Sequence, residues 1–167
     1  HKPSLPHRDD YVFDLLVTIL CDGFTSRFDR RLVETERVAQ SVDCESAAPG
    51  NRLDNLFLIG ARPRAPHTTA EVLRLLDAEL ARMRETLVTP AELAKARTKI
   101  AADLVWGIST NEQLAQQLVY FETLAGDWRY LLRHRAVIEQ IGAEEIQQVA
   151  KKYLIPENRT IAELVKP

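Results

Sequence analysis

Val149-Ala-Lys-Lys-Tyr153-Leu-Ile-Pro156-Glu-Asn158-Arg-Thr160-Ile-Ala-Glu-Leu164-Val-Lys-Pro167 closes the chain, and its reading decides the fold. A helix ends on Tyr153-Leu154. Pro156 stops it, because proline has no N–H to continue the ladder and its ring crowds the preceding turn. A short β-branched strand is predicted at Thr160–Val165. A lone strand behind a helix needs partners from elsewhere in the chain.

Working backwards, five helices precede that strand. Ala143–Leu154 is the nearest, and Trp128–Ile141 before it ends at Gly142. Thr110-Asn-Glu-Gln113 opens a third, with Leu114, Leu118, Phe121 and Ala125 on one face and a break at Gly126-Asp127. Thr89-Pro90-Ala91-Glu92 is a capping box with proline in the first turn, followed by Leu93, Ala96, Ile100 and Leu104. Thr68-Thr-Ala-Glu71 is another box, with Val72, Leu76, Leu80, Met83 and Leu87 in helical register.

The N-terminal half supplies the strands. Val38–Cys44 alternates, setting Val38, Gln40, Val42 and Cys44 against Ala39, Ser41 and Asp43. After the turn at Pro49-Gly50-Asn51 comes Leu53–Arg62, ended by Pro63 and Pro66. Before them, Tyr11–Cys21 is apolar on nearly every side, as a buried helix is. It stops at Asp22-Gly23, and Ser26 caps a short second helix from Arg27 to about Glu36. Residues 1–8, with Pro3 and Pro6, read as a flexible entry segment. The predicted fold class is therefore α+β: an antiparallel-type mixed β-sheet covered on one face by helices, in one domain spanning 1–167.

Composition narrows the function. Hydrophobic residues make up 46% and charged residues 28% of 167 residues. A chain of that size can bury roughly 70% of its unfolded surface without staples. A formal charge of −2 offers no basic face for nucleic acid. No apolar run reaches the roughly 18 residues of a membrane span. Cys21 and Cys44 sit in no CxxC pair or Cys/His cluster, which excludes a zinc ribbon. They could pair, but buried free thiols are the expected state. The chain begins at His1 and its only methionine is Met83, so it is expected to be a fragment or processed product of a longer protein. The compartment, bacterial cytoplasm or periplasm, stays open.

The order and wording of the blocks resemble one repeat of the pitrilysin/insulinase family of zinc peptidases. Leu20-Cys-Asp-Gly23 precedes Ser26-Arg27-Phe28, and Arg31-Leu32 with Glu36 leads into the strand at Val38. Thr69-Ala-Glu71-Val, Thr89-Pro90-Ala-Glu92-Leu93 with Ala96-Arg97, Leu114-Ala115, Gly126-Asp127-Trp128 and the closing segment follow in order. The resemblance implies paired domains enclosing a chamber for unfolded peptides, one of them holding zinc on a helix with His-x-x-Glu-His. In that motif two histidines share a helix face and grip Zn²⁺ while the glutamate activates water. The motif occurs nowhere here. Aligned on Leu20 and Gly23, it falls on Asp14-Leu15-Leu16-Val17-Thr18. Asp14 and Thr18 stand where the histidines would be, and Val17 stands where the base would be.

The resemblance thus implies an inactive C-terminal-type domain with no catalytic residue, metal ligand or cofactor of its own. Zinc belongs to a partner: the N-terminal domain of the same chain or another subunit, as a homo- or heterodimer. The family's silent domains often carry an arginine and a tyrosine seven residues apart that reach the peptide. Those positions fall on Val33 and Gln40, and neither residue type is retained. Arg30, Arg31 and Gln40 are the candidates for contact with substrate; for the arginines, ion pairs with Asp29, Glu34 or Glu36 are the competing reading. His7 near Asp9 reads as part of the entry segment. His134, spaced five from Glu139, reads as a surface histidine, and Arg129, Arg133 and Arg135 as a solvated face. Trp106, Trp128, Tyr120 and Phe121 read as core or domain-interface packing. The alternative function is a structural core-subunit or scaffold domain of the same fold with no peptidase activity.

Overall fold

The computed structural model describes residues 1–164. Helix α1 (Arg8–Leu20) is followed by a π-helical segment (Asp29–Thr35), strands β1 (Ala39–Ala48) and β2 (Leu56–Pro63), and helices α2 (Thr69–Glu85), α3 (Pro90–Trp106), α4 (Asn111–Ala125), α5 (Tyr130–Gln140) and α6 (Ala143–Tyr153). A 3₁₀ turn at Pro156–Asn158 follows. The class is α+β, with an antiparallel β1–β2 hairpin beside a helical layer.

The apolar circumference of α1 makes it the centre of the core. Val12, Phe13, Leu15, Leu16 and Leu20 are fully buried, packed with Phe28, Leu32, Ile138, Ile141 and Ile146. Phe13 meets Phe57 of β2 and Tyr153 of α6 at ring separations of 5.5 and 5.6 Å. The second helix winds wider than expected, as a π-segment, while Ser26 does accept from the Asp29 N–H at 3.4 Å. In β1 the partner of Ala39 is Pro63 and that of Ser41 is Arg62, so Gln40 is the extra residue of a bulge. The bulge interrupts the alternation, and Gln40 faces solvent instead of joining Val42 and Cys44.

Several expectations need correction. Residues 160–164 pair with no strand, and Val165 lies outside the described residues. This segment is exposed and held to α2 by side chains, with Thr69 Oγ1 donating to Glu163 at 3.1 Å and Arg159 paired with Asp77. Cys21 and Cys44 form a disulfide, not free thiols, with Cα atoms 5.8 Å apart. The entry segment is tied down. Lys2 exchanges backbone hydrogen bonds with Asn55 (2.8 and 3.1 Å), and its fully buried ammonium pairs with Asp10 and sits 5.3 Å from the Phe13 ring centre. Burial pushes the Asp10 carboxyl up against that pairing. His7 accepts the Asp9 N–H at 3.0 Å and so caps α1. Helix α4 buries none of its residues completely. Trp106 is 72% exposed, and Tyr120 and Trp128 are also exposed, so of the four aromatics only Phe121 packs on the core, stacked on Tyr130, and the core reading fails for the other three while the domain-interface reading stands.

The boxes at Thr68 and Thr89 close as read, and the helix start at Thr110 proves to be a third box, each threonine accepting from the backbone three residues on. At Thr89 the box has an extra partner. Glu92 accepts the Thr89 N–H at 2.9 Å and both Arg27 nitrogens at 2.7 and 3.0 Å. The Arg27 fork, with the Thr89 donors, holds the Glu92 carboxyl down at about 2 against its partial burial, from 4.5 in an ordinary chain. A depressed carboxylate stabilises the fold above its unfolded value and loses that contribution as the pH falls through its folded value. Stability carried by Glu92 is therefore complete above pH 4.5 and disappears towards pH 2. Glu92→Gln is expected to cost about 1–2 kcal/mol at pH 7, after discounting for solvent screening, and to flatten the acid limb between those limits. Urea unfolding across that pH range measures both.

Candidate functional site

The rewritten motif lines a cleft. Asp14, Val17 and Thr18, one turn of α1, form one wall of a hollow of about 330 Å³. Ile100, Asp103 and Leu104 of α3 with Gly107 after it, Gln117 and Phe121 of α4, His134 of α5, Ser46 of β1 and Asp22 complete it. The lining combines apolar side chains with three carboxylates, those of Asp14, Asp22 and Asp103. Lys99 answers two of them, reaching Asp22 at 3.1 Å and Asp103 at 2.8 Å, and these bonds, Asp103 first, hold its ammonium above the ordinary lysine value.

Asp14 is engaged by a residue that sequence reasoning placed on the surface. His134 Nε2 lies 2.8 Å from Asp14 Oδ2, and the histidine side chain is only 15% exposed. The signal was present: Tyr130, His134 and Ile138 are spaced by four, and the first and last are buried. His134 occupies the inner face between them, against the Tyr11 ring at 5.4 Å. Tyr130 stacks on Tyr11 at 5.1 Å, and burial, with Tyr11 beside it, pushes its phenol well up. Glu139 pairs with Arg135 instead, and Arg129 and Arg133 with Asp127, all on the solvated side.

The residues present do not fit zinc. Thr18 spends its hydroxyl on the Asp14 carbonyl one turn back, at 2.9 Å. Val17 has no atom that could take a proton. Asp14 is committed to His134. Among the described residues no group of three or more His, Cys, Asp or Glu side chains is placed to hold a metal ion, and a catalytic zinc needs three protein ligands. The Asp14–His134 bond instead joins α1 to α5. Asp14→Ala and His134→Ala are each expected to cost about 1 kcal/mol, and the double variant less than their sum. Thermal melts of the four proteins in this cycle give the coupling.

None of Arg30, Arg31 and Gln40 lines the cleft. Arg30 is exposed on the π-segment, Arg31 pairs with Glu36 at 3.0 Å, and Gln40 is at the bulge of β1. Arg27, grouped with the first two in sequence, is taken by Glu92. A larger hollow of about 580 Å³ at the start of α6 involves Asp9, Glu145 and Lys152, whose charges are already paired with neighbours.

The family described as "Peptidase M16 inactive domain" matches residues 1–100. A curated relative, the zinc protease PqqE of Helicobacter pylori, is 22% identical over 153 residues, covering 90% of this chain. The chain spans about a third of that relative's length, 33%. Among solved structures, a protease from Helicobacter pylori superposes with TM-score 0.84 at 19% identity, over 92% of this chain and 36% of that one. The inactive peptidase domain of a protein assigned as a zinc protease in Bordetella parapertussis superposes with TM-score 0.82 at 26% identity, over 96% of this chain and 85% of that one. With more than half of its length matched, this chain belongs to the peptidase M16 inactive-domain family.

Proposed function

We propose that this domain is the non-catalytic wall of a zinc metalloendopeptidase. It closes a chamber against a zinc-bearing partner, which is either an N-terminal domain of the same chain or a second subunit in a homo- or heterodimer, and helps to hold an unfolded peptide there. The observation that carries this reading is the state of α1. Its core face is intact from Val12 to Leu20, while the positions of ligand, base and ligand hold Asp14 tied to His134, Val17, and Thr18 bonded to its own helix. A fold kept while its chemistry is removed suits a part that shapes an enzyme without performing the reaction. Arg30, Arg31 and Gln40 are the proposed peptide contacts.

The second reading, a scaffold domain without any peptidase partner, draws on one observation. Val33 and Gln40 stand where a helper arginine and tyrosine would. Hydrolysis of an unstructured fluorogenic peptide separates the two. The first reading expects cleavage when this chain is joined to a zinc-bearing partner domain and none from this chain alone. The scaffold reading expects no cleavage in either case.

A further inference from the structure

The Cys21–Cys44 bond lies at the edge of the cleft. Cys21 follows the last residue of α1 and donates its N–H to the Val17 carbonyl at 2.8 Å. Cys44 is the point on β1 opposite Ile59, just before the ladder loses its register between Glu45 and Ala48. Asp22, next to the first cysteine, and Ser46, two residues past the second and on the same side of the strand, both line the cleft. The bond therefore joins two cleft walls covalently next to the register shift of the ladder, which resumes at Ala48–Leu56. Both cysteines are only half-buried, unlike the fully buried residues of the core that they pack against, and exchange requires a thiolate to reach one of the sulfurs.

We propose that this disulfide is a redox-responsive clasp on the cleft. Closed, it holds the β1 segment Cys44–Ala48 against the end of α1. Opened, it releases that segment and widens the cleft while the rest of the fold stays packed. The exchange is balanced with a dithiol as reductant. A thiolate of the dithiol attacks one cysteine sulfur and forms a mixed disulfide, and the other cysteine leaves as a thiolate and takes a proton. The second thiol of the reductant then displaces the first cysteine, which is protonated in turn, leaving a protein dithiol and a cyclic disulfide. Two electrons pass to the protein. Phe13, Leu16, Leu20, Phe28 and Ile146 form part of a continuous apolar cluster, and the two cysteines pack against it without being among its fully buried members.

The test is amide hydrogen exchange on the whole chain, oxidised and after dithiothreitol, with thiol titration in denaturant alongside. Titration is expected to find no free thiol before reduction and two after. Reduction is expected to speed exchange about tenfold or more at Glu45–Ala48 and in the last turn of α1, with α6 unchanged, and to lower Tm by about 5–10 °C. Cys21→Ser should reproduce the reduced pattern without any reductant. Two free thiols in air-equilibrated protein would overturn the proposal, as would identical exchange in the two states. Unfolding of the whole chain on reduction would also overturn it, because the bond would then be a staple of the fold. None of these readouts involves peptide cleavage, so they stand or fall separately from the peptidase reading.

Discussion

Lys2→Ala is expected to destabilise the chain by about 3–5 kcal/mol, a drop in Tm of about 10 °C. The ammonium is wholly buried against Asp10, and both leave water together on folding. Removing the lysine leaves a buried carboxylate with its charge partner gone, and that unpaired charge is the expensive state. The pH dependence identifies the cause. Burial already raises the Asp10 carboxyl, and without Lys2 it rises further. A carboxyl raised in the folded state binds its proton more tightly there than in the unfolded chain, so the variant should regain stability as the pH falls and lose it as the pH rises. Lys2→Met combined with Asp10→Leu should return close to the parent, because an apolar pair of similar volume needs no compensation. Chemical denaturation at pH 5 and pH 8 measures all of this; a Lys2→Ala loss below about 0.5 kcal/mol would show that the pair is not a feature of the folded core.

That pair was illegible in the sequence, and the reason is physical. Lysine is almost never buried, and Pro3 and Pro6 around it carry the pattern of a loop. What burial requires is Asp10, eight residues away, and the backbone of Asn55 across the molecule, and no local period reports either. Starts of helices were legible because their signals are local. Thr89-Pro90-Ala91-Glu92 contains its own hydrogen-bond partners within one turn, and α3 begins at Pro90. Ends and irregularities were less so. The π-winding of Asp29–Thr35 and the bulge at Gln40 come from fitting the chain between α1 and the hairpin. A strand at Thr160–Val165 was inferred from β-branched residues alone, and β-propensity expresses a fit to neighbouring strands that residues 160–164 lack. The cleft was half legible. Asp14, Val17 and Thr18 came from one helix and were found together; His134 had to be read from its spacing to Tyr130 and Ile138, and the charges of Arg133 and Arg135 drew attention to the wrong face.

Joining this chain to a zinc-bearing partner should raise peptide hydrolysis by about a hundredfold over the partner alone, while the chain by itself stays at background with or without added zinc. The size follows from what a wall can do. Holding a flexible substrate in place and keeping bulk water out of the site are each capable of effects of that order without supplying any reacting group. The background value follows from α1. With Val17 at the base position and Thr18 bonded to the Asp14 carbonyl, these two positions of the helix supply neither a metal ligand nor a proton acceptor. How the gain divides between constants locates the contribution. Peptide contacts that act equally on bound substrate and transition state lower KM alone, whereas positioning raises kcat. Arg30→Glu with Arg31→Glu should raise KM for an acidic peptide several-fold and leave kcat unchanged, because both arginines lie outside the cleft, on the exposed π-segment. The same double variant should leave a basic peptide unaffected or improve it. Equal rates with and without this chain would remove the wall as an explanation, and hydrolysis by the chain alone that a zinc chelator abolishes would show that α1 has a chemistry its side chains do not disclose.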